Sequence, residues 1–236
     1  MKGCGGEIAG LPCCTVIHGD CEDYLEKFAP GCVDLIVTDS PYGMNLKMQR
    51  KESRRIRGDD QFPVETIKQL IKLPRLASYF FCRWDNLWDH GDLPKPKSVI
   101  VWAKESGGGP GDTHHEHSRA YEVALFYPRL PEHKFICRPN DIISVPRTGN
   151  YLHTTQKPVE LMRQVLEWYD FKTVLDPYAG SGSTLLAARQ LKKHFLGFEI
   201  DQSNHAEAVH LIERPLVEEK SALSPDTQPR FFLDQM

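Results

Sequence analysis

One stretch of the sequence could bind and polarise an amine. An apolar run over residues 33–37 is followed, after Thr38, by Asp39-Ser40-Pro41-Tyr42. Pro41 holds Ser40 extended, so the Asp39 carboxylate and the Ser40 backbone carbonyl can point the same way and accept both hydrogens of an NH2 group. Tyr42 then offers a ring face on which a planar base can stack. For these four residues alone, a strand that ends in a Pro-Tyr turn without function is the alternative.

A second stretch has the residues of a nucleotide-binding loop. Asp176 is followed by a loop containing Gly180 and Gly182, and Glu199 ends the next predicted strand, 17 residues after Gly182. Glycines let the backbone approach a ligand closely, and the amino end of the following helix adds N–H donors. An acid in the position of Glu199 can bind ribose hydroxyls. No lysine follows Gly182, so we expect an adenosine ligand without a phosphate chain. A purely structural strand-loop-helix connection is the alternative.

A basic run comes directly after the first stretch. Between residues 47 and 57, six basic residues and Glu52 give a charge of +5 in a chain whose net charge is −3. Because this run stands beside the first stretch, it predicts contacts with nucleic-acid phosphates, and a solvated loop is the alternative. The six residues are Lys47, Arg50, Lys51, Arg54, Arg55 and Arg57.

Short apolar or β-branched runs, many of them separated by helical patterns, indicate the elements that position these residues. Several runs are almost continuously apolar, as in strands buried on both faces of a parallel sheet. We therefore expect an α/β fold with a mostly parallel sheet, which binds ligands at the carboxyl ends of its strands. The predicted strands are residues 15–18, 33–37, 78–82, 98–102, 122–127, 173–175 and 195–198, and the predicted helices are residues 22–28, 64–73, 159–169, 183–193 and 205–213.

Composition indicates one ordinary domain of 236 residues, with 40% hydrophobic and 26% charged residues. We assign residues 1–236 to that domain, with a core over about 15–214, a basic loop over about 44–63 and a tail over 215–236. No apolar run reaches the length of a membrane helix and no signal peptide is recognisable, so we expect a cytoplasmic protein without a membrane partner. Seven cysteines without a CxxC pair or zinc-ligand spacing predict reduced thiols and no structural metal.

The order of the motifs carries a family resemblance. The Asp39-Ser40-Pro41-Tyr42 element stands near the amino end, whereas the glycine loop comes late and follows Gln156-Lys157-Pro158. This order resembles the beta-type, circularly permuted DNA amino-methyltransferases that depend on S-adenosylmethionine and act on N6 of adenine or N4 of cytosine. The resemblance covers about residues 15–214. It implies a Rossmann-like class I methyltransferase fold with a doubly wound, mostly parallel and circularly permuted sheet.

The resemblance also assigns residues to roles. It implies that Asp39, Ser40, Pro41 and Tyr42 form the catalytic pocket. The implied cofactor-binding residues are Asp176, Gly180, Ser181 and Gly182 at the methionine part, Glu199 at the ribose, Asp20 at the adenine amine, Gln156 with Lys157 near the cofactor carboxylate, and Tyr178. The family usually has Asp-Pro-Pro-Tyr. Ser40 therefore predicts lower rigidity, on the order of 0.4–1 kcal/mol.

The chemistry of an exocyclic base amine supports the same interpretation. Its lone pair is delocalised into the ring, so accepting both N–H hydrogens at Asp39 and the Ser40 carbonyl would direct the lone pair at the methyl donor. Positioning and electrostatic preorganisation would supply most of the rate, without a covalent enzyme intermediate. The target base of a duplex must be flipped out, and Tyr42 is the candidate to stack on it.

Within the family, Asp39 in the first position favours N6 of adenine, because N4-cytosine enzymes more often have serine there. N4-cytosine methylation, a catalytically weak module that binds the cofactor and DNA, and a methylase of RNA or protein amides are the alternatives. About 25 residues, 128–152, separate the last β run from Gln156, so we expect no large target-recognition domain. A metal site at His114, His115 and His117 is disfavoured, because methyl transfer needs no metal. DNA is the expected partner, and monomer and homodimer are both left open.

Overall fold

The computed structural model describes residues 5–43, 62–87, 92–104, 114–115, 117–147 and 156–216. Within these ranges, two short strands pair as a separate antiparallel ribbon, β1 (Glu7–Ile8) and β2 (Leu11–Pro12). The main sheet contains β3 (Thr15–His18), β4 (Val33–Asp39), β5 (Pro74–Cys82), β6 (Ser98–Ala103), β7 (Tyr121–Pro128), β8 (Ile142–Ser144), β9 (Thr173–Asp176) and β10 (His194–Glu199). The α-helices are α1 (Val64–Leu70), α2 (Val159–Glu167), α3 (Ser183–Gln190) and α4 (Gln202–Glu213), and 3-10 helices cover Cys21–Lys27 and Asp85–Leu87.

The main sheet has the strand order β3-β10-β9-β4-β5-β7-β6-β8. Strand β7 pairs antiparallel with β5 and β6, and the other neighbouring strands pair in parallel. The mostly parallel α/β sheet predicted from the sequence is therefore confirmed. Strand β9 comes late in the chain but lies beside β4, so the glycine loop and the Asp39 element share one region of the sheet.

The apolar strands are continuous because helices cover both faces of the sheet. In β4, Leu35 packs in the cluster that contains Leu161 of α2 and Leu185 of α3. The adjacent residue Ile36 packs on the opposite face, in the cluster that contains Ile67 of α1. Alternate residues of one strand thus fill two separate cores, which is the doubly wound arrangement.

A buried acid fixes the register of the central strands. Asp34, near the start of β4, accepts hydrogen bonds from the backbone N–H groups of Lys172 (2.6 Å) and Thr173 (3.1 Å) at the start of β9. The other oxygen of its carboxylate pairs with Nε of Arg75 on β5 at 2.7 Å. These contacts align three neighbouring strands at one end, so their opposite ends meet at the same edge of the sheet.

The structure also bears on the expectations about membrane-spanning helices and about the cysteines. No helix among the described residues is both long and apolar enough to cross a membrane. Five of the cysteines that the structure describes are free thiols, but Cys13 is disulfide-bonded, so the expectation of reduced thiols is wrong at that residue. The basic run and the tail from residue 217 lie outside the described residues.

Candidate active site

Four acids follow one another along the carboxyl edge of the main sheet. The adjacent strands β3, β10, β9 and β4 lead to Asp20, Glu199, Asp176 and Asp39, in that order. The first of these lies two residues beyond its strand, and the other three end theirs. Ligands of open parallel sheets bind outside this edge. The sequence predicted each acid separately, and the topology places them in one row.

A cavity of about 520 Å³ of empty space, open to solvent, lies against two acids of this row, Asp176 and Asp39. It lies at the glycine loop, the Gln156-Lys157 segment and Asp39, so it joins both stretches singled out in the sequence. Its lining residues are Asp39, Gln156, Lys157, Met162, Asp176, Tyr178, Ala179, Gly180, Ser181, Ser183, Thr184 and Asn204. Gly182, Glu199 and Asp20 are not among them.

Hydrogen bonds connect the Gln156-Lys157 segment to Ser183, directly after the glycine loop. The hydroxyl of Ser183, the first residue of α3, donates to the backbone carbonyl of Lys157 at 2.7 Å. The side-chain amide of Gln156 in turn donates to the Ser183 hydroxyl at 3.5 Å. These bonds explain why a segment that precedes the loop by about 20 residues in the sequence forms one wall of the same cavity.

Glu199 holds the glycine loop through a hydrogen bond to its backbone. One of its carboxylate oxygens accepts the backbone N–H of Gly180 at 2.8 Å, and the other accepts that of Asp201 at 2.8 Å. Burial raises the pKa of this carboxyl, and the two N–H donors oppose that rise. Asp20 caps the following 3-10 helix by accepting from the backbone N–H of Glu22 at 3.0 Å. Contacts of Glu199 with ribose and of Asp20 with adenine stay predictions.

Asp176 joins the two central strands. The Thr38 hydroxyl on β4 donates to its carboxylate at 2.6 Å, and the backbone N–H of Tyr178 donates to the same oxygen at 3.2 Å. Burial raises the pKa of Asp176 to about 7, so this carboxyl is only partly ionised at neutral pH. A cationic group placed beside it in the cavity would favour the carboxylate form.

Asp39 belongs to a network of charges that the sequence did not predict. Lys157 Nζ lies 2.6 Å from one Asp39 oxygen and 2.8 Å from Glu122 of β7. The Tyr42 hydroxyl donates to the other Asp39 oxygen at 2.6 Å and accepts from Lys157 at 2.7 Å. Lys104 pairs with the second oxygen of Glu122. Lys157 was predicted near the cofactor carboxylate, whereas the structure places its ammonium on Asp39 while it also lines the cavity.

The network shifts the pKa values of its two carboxyl groups in opposite directions. Burial raises the pKa of Asp39, although the Lys157 ammonium opposes the rise. Burial also acts on Glu122, but Lys157 and Lys104 outweigh it and lower the pKa of that carboxyl to about 2. For Lys157, Asp39 and Glu122 outweigh burial and raise the ammonium pKa. Glu122 is therefore the fixed anion that holds Lys157, and Asp39 is the more basic acceptor.

Tyr42 turns towards this network. Its hydroxyl bonds Asp39, and Lys157 Nζ lies 5.3 Å from its ring centroid. Its backbone carbonyl accepts from the side-chain amide of Asn86 at 2.9 Å, and Asn86 accepts from the backbone N–H of Arg83. Asn86 is buried and was not predicted from the sequence. The stacking role of Tyr42 stays a prediction.

Ser40, which stands where the family usually has proline, is held by a side-chain hydrogen bond. Its hydroxyl donates to the backbone carbonyl of Phe81 on β5 at 2.9 Å, and the residue is only 2% exposed. A side-chain hydrogen bond therefore ties the turn to the neighbouring strand where proline would restrict it through its ring. The lower rigidity expected from Ser40 stays a prediction, and this bond opposes it.

Replacing Ser40 with Ala should lower the free energy of unfolding by about 0.5–1.5 kcal/mol, because the bond to Phe81 is lost. Ser78→Ala is the matched control, since the buried Ser78 hydroxyl has no hydrogen-bond partner among the described residues. Chemical denaturation of both variants tests this. Equal effects of the two substitutions would show that the Ser40 bond contributes nothing.

The two glycines of the loop share a backbone conformation that strains other residues, but only one of them is crowded by neighbouring atoms. Both have left-handed backbone, with φ 52° at Gly180 and 88° at Gly182. A Cβ at Gly182 would lie 3.2 Å from the Ala208 Cβ and 3.3 Å from its Cα, whereas a Cβ at Gly180 meets nothing within 4 Å. We expect Gly182→Ala to cost at least about 1 kcal/mol more unfolding free energy than Gly180→Ala, because it adds overpacking to strain. Denaturation curves measure the difference, and equal costs would contradict it.

Together, the doubly wound sheet and the strand-end cavity beside a glycine loop define a Rossmann-like methyltransferase architecture. The sequence model of the N6/N4 family, described as DNA methylase, matches residues 33–210, and the chain belongs to this family. It is accordingly a DNA methyltransferase, and its cofactor is S-adenosylmethionine.

Known proteins resemble the chain over most of its length. The Escherichia coli K12 protein YubD, which is named as a methylase, is 28% identical over 202 residues, which cover 80% of this chain and 86% of YubD. The structure of the M1.HpyAVI complex with S-adenosylmethionine has a TM-score of 0.61 at 23% identity, over 83% of this chain and 98% of that one. PvuII DNA methyltransferase, which is cytosine-N4-specific, has a TM-score of 0.67 at 14% identity, over 86% and 87% of the two chains. These structural similarities support the fold alone.

Proposed function

We propose that the chain transfers a methyl group from S-adenosylmethionine to the N6 amine of a flipped-out adenine in DNA. The observation that carries this proposal is the position of the Asp39 carboxylate on the wall of the cavity, at the head of an Asp-Ser-Pro-Tyr turn. Asp39 favours adenine, as the sequence pattern indicates. The structural similarity to a cytosine-N4-specific enzyme keeps N4 of cytosine as the second candidate.

The cavity residues fit a cationic nucleoside cofactor. The partly protonated carboxyl of Asp176 would ionise beside a positive charge, and the backbone at Gly180 and Ser181 leaves room for close approach. S-adenosylmethionine supplies an electrophilic methyl group on its sulfonium. Glu199 acts by holding the loop through Gly180.

Asp39 and the Ser40 carbonyl would accept the two amine hydrogens and orient the nitrogen lone pair. Transfer forms a carbon–nitrogen bond as the carbon–sulfur bond breaks, and the substituted amine then loses one proton. Asp39 is the acceptor in reach, and its raised pKa suits that role. Because Glu122 also holds Lys157, the ammonium is shared, and Asp39 can turn to the amine without leaving Lys157 unpaired.

The basic run from Lys47 to Arg57, which lies outside the described residues, is proposed to contact the DNA backbone beside the flipped base. Replacing Arg54, Arg55 and Arg57 with Ala should flatten the log–log salt dependence of DNA affinity by roughly 2–3, at about 0.9 for each lost phosphate contact. Affinity titrations over a series of salt concentrations measure this slope. An unchanged slope, affinity and sequence preference would show that the run is a solvated loop.

Nucleoside mass analysis tests the proposed reaction. DNA is incubated with the chain and S-adenosylmethionine carrying a deuterated methyl group, then digested to nucleosides. Labelled N6-methyl-deoxyadenosine supports the proposal, and labelled N4-methyl-deoxycytidine establishes the second candidate instead. Cofactor binding without label in DNA would indicate a catalytically weak binding module. A parallel incubation with RNA tests the RNA methylase alternative.

A further inference from the structure

The structure brings together three metal-binding side chains at the amino edge of the sheet. Cys13, Cys14 and His194 each present one ligand atom, and these atoms lie within 4.8 Å of one another. Cys13 and Cys14 directly precede β3, and His194 begins β10, its parallel neighbour. The cofactor cavity is at the opposite, carboxyl edge, so this cluster has no place in methyl transfer.

Two of the three distances among these atoms fall in the range of a tetrahedral zinc site, and the third is about 0.3 Å shorter. With zinc–sulfur bonds near 2.3 Å and zinc–nitrogen bonds near 2.0–2.1 Å, neighbouring ligand atoms lie about 3.5–3.8 Å apart. The two Sγ atoms are 3.8 Å apart, and His194 Nδ1 lies 3.2 Å from Cys13 Sγ and 3.8 Å from Cys14 Sγ. Two sulfurs and one imidazole nitrogen are a donor set that zinc prefers.

The backbone holds the cluster in place. Cys14 has a φ of 59°, in the left-handed region that non-glycine residues rarely adopt, and its N–H donates to the carbonyl of Phe195 at 2.7 Å. This bond fixes Cys14 beside the start of β10. The Cys13 side is buried and the His194 side is exposed, so an ion can enter from solvent.

We propose that Cys13, Cys14 and His194 bind a zinc ion when Cys13 is reduced. Cys13 is disulfide-bonded in this structure, so zinc binding and the disulfide are alternative states of the same sulfur. A thiol or phosphine reductant supplies the two electrons that convert the disulfide to two thiols. Zinc then displaces one proton from each of Cys13 and Cys14 into solvent and binds the neutral His194 through Nδ1. A water molecule completes the tetrahedron.

This proposal departs from the sequence prediction of no structural metal. In a sequence, zinc sites are recognised by closely spaced cysteines and histidines. His194 is 181 residues from Cys13, and the pairing of β3 with β10 brings the two residues together. Cys4 lies outside the described residues and is not part of the proposed set.

Cobalt titration of the reduced protein tests the site. Cobalt in place of zinc should give tetrahedral bands and a thiolate-to-cobalt charge-transfer band at one ion per chain, which zinc then abolishes. Cys14→Ser and His194→Gln should weaken cobalt binding by at least about tenfold, since even supporting residues of metal sites contribute roughly 10–100-fold. Cys137→Ser, at an exposed free cysteine, is the matched control and should bind as the parent does.

The unreduced parent provides the second measurement, which needs no variant to fold. It should bind cobalt at least about tenfold more weakly, because Cys13 offers no thiolate while disulfide-bonded. Equal cobalt binding with and without the reductant, or undiminished binding by both the Cys14 and His194 variants, overturns the proposal. So does the absence of a charge-transfer band in the reduced parent.

Discussion

Asp39→Asn should lower the rate of methyl transfer to DNA by at least about 100-fold, as expected for loss of one preorganised electrostatic contact to the reacting group. The variant keeps the size of the side chain and one acceptor oxygen, but it loses the negative charge and the group that is proposed to take the proton from the methylated amine. Affinity for S-adenosylmethionine should stay within a few fold, because Asp39 is assigned to the amine. Single-turnover transfer and calorimetry measure the two quantities.

Asp34→Asn is the control for this prediction. Asp34 is also a buried acid of β4, but it lies at the other end of the strand, where it bonds Arg75 and backbone N–H groups of β9. We expect this control to lower stability and to leave the rate of transfer by folded protein within a few fold. Near-normal turnover by Asp39→Asn would refute its catalytic assignment.

Lys157→Met should lower the free energy of unfolding by about 3 kcal/mol, because the half-buried Asp39 carboxylate loses its cation while Glu122 keeps Lys104. Asp39 and Glu122 would then face each other without the ammonium that lies between them. The pKa of Asp39, already raised by burial, should rise further in the variant. A carboxyl whose pKa is higher in the folded state loses stability as pH rises from its unfolded pKa to its folded one.

The stability loss of Lys157→Met should therefore be smaller near pH 5 than near pH 8, in denaturation experiments at both values. The double variant with Glu122→Gln should lose less stability than the two single variants added together, because each single change already breaks the Lys157–Glu122 pair, and this partial recovery measures the coupling. A loss that is the same at both pH values, with no recovery in the double variant, would contradict the charge network.

The acids of the site could be predicted because local sequence determines where they stand. Asp39, Asp176 and Glu199 each end a mostly apolar strand, and the carboxyl ends of parallel strands meet at one edge. The order of the motifs along the chain indicates the family, and the family resemblance implies the roles of these acids. The sequence pattern shows where each strand ends, so it also shows which residues lie at that edge.

The partners of these acids could not be predicted in the same way. Lys157 and Asp39 are 118 residues apart, and their contact depends on how α2 packs beside β4. Glu122 is a charged residue at the edge of an apolar run, which is a weak signal of a buried ion pair, but the pattern does not identify Lys104 and Lys157 as its partners. The Ser40 hydroxyl bond to Phe81 similarly depends on the pairing of β4 with β5.

Two smaller differences have local causes. Strand β8 has three residues at the edge of the sheet, of which only Ile143 is buried, so no apolar run marks it. The segment predicted as a helix over 22–28 is a 3-10 helix over Cys21–Lys27, which begins with the Asp20 cap. Both segments are short, and apolar periodicity identifies short elements poorly.

The crystal structure of the chain with bound S-adenosylmethionine tests the central claim most directly, since that claim places the methyl donor and Asp39 in one cavity. We expect the methionine part beside Asp176 and the Gly180-Ser181 backbone, with the sulfonium methyl directed at the Asp39 carboxylate and the Ser40 carbonyl. A cofactor bound outside this cavity, or one whose methyl group points away from Asp39, would contradict the account.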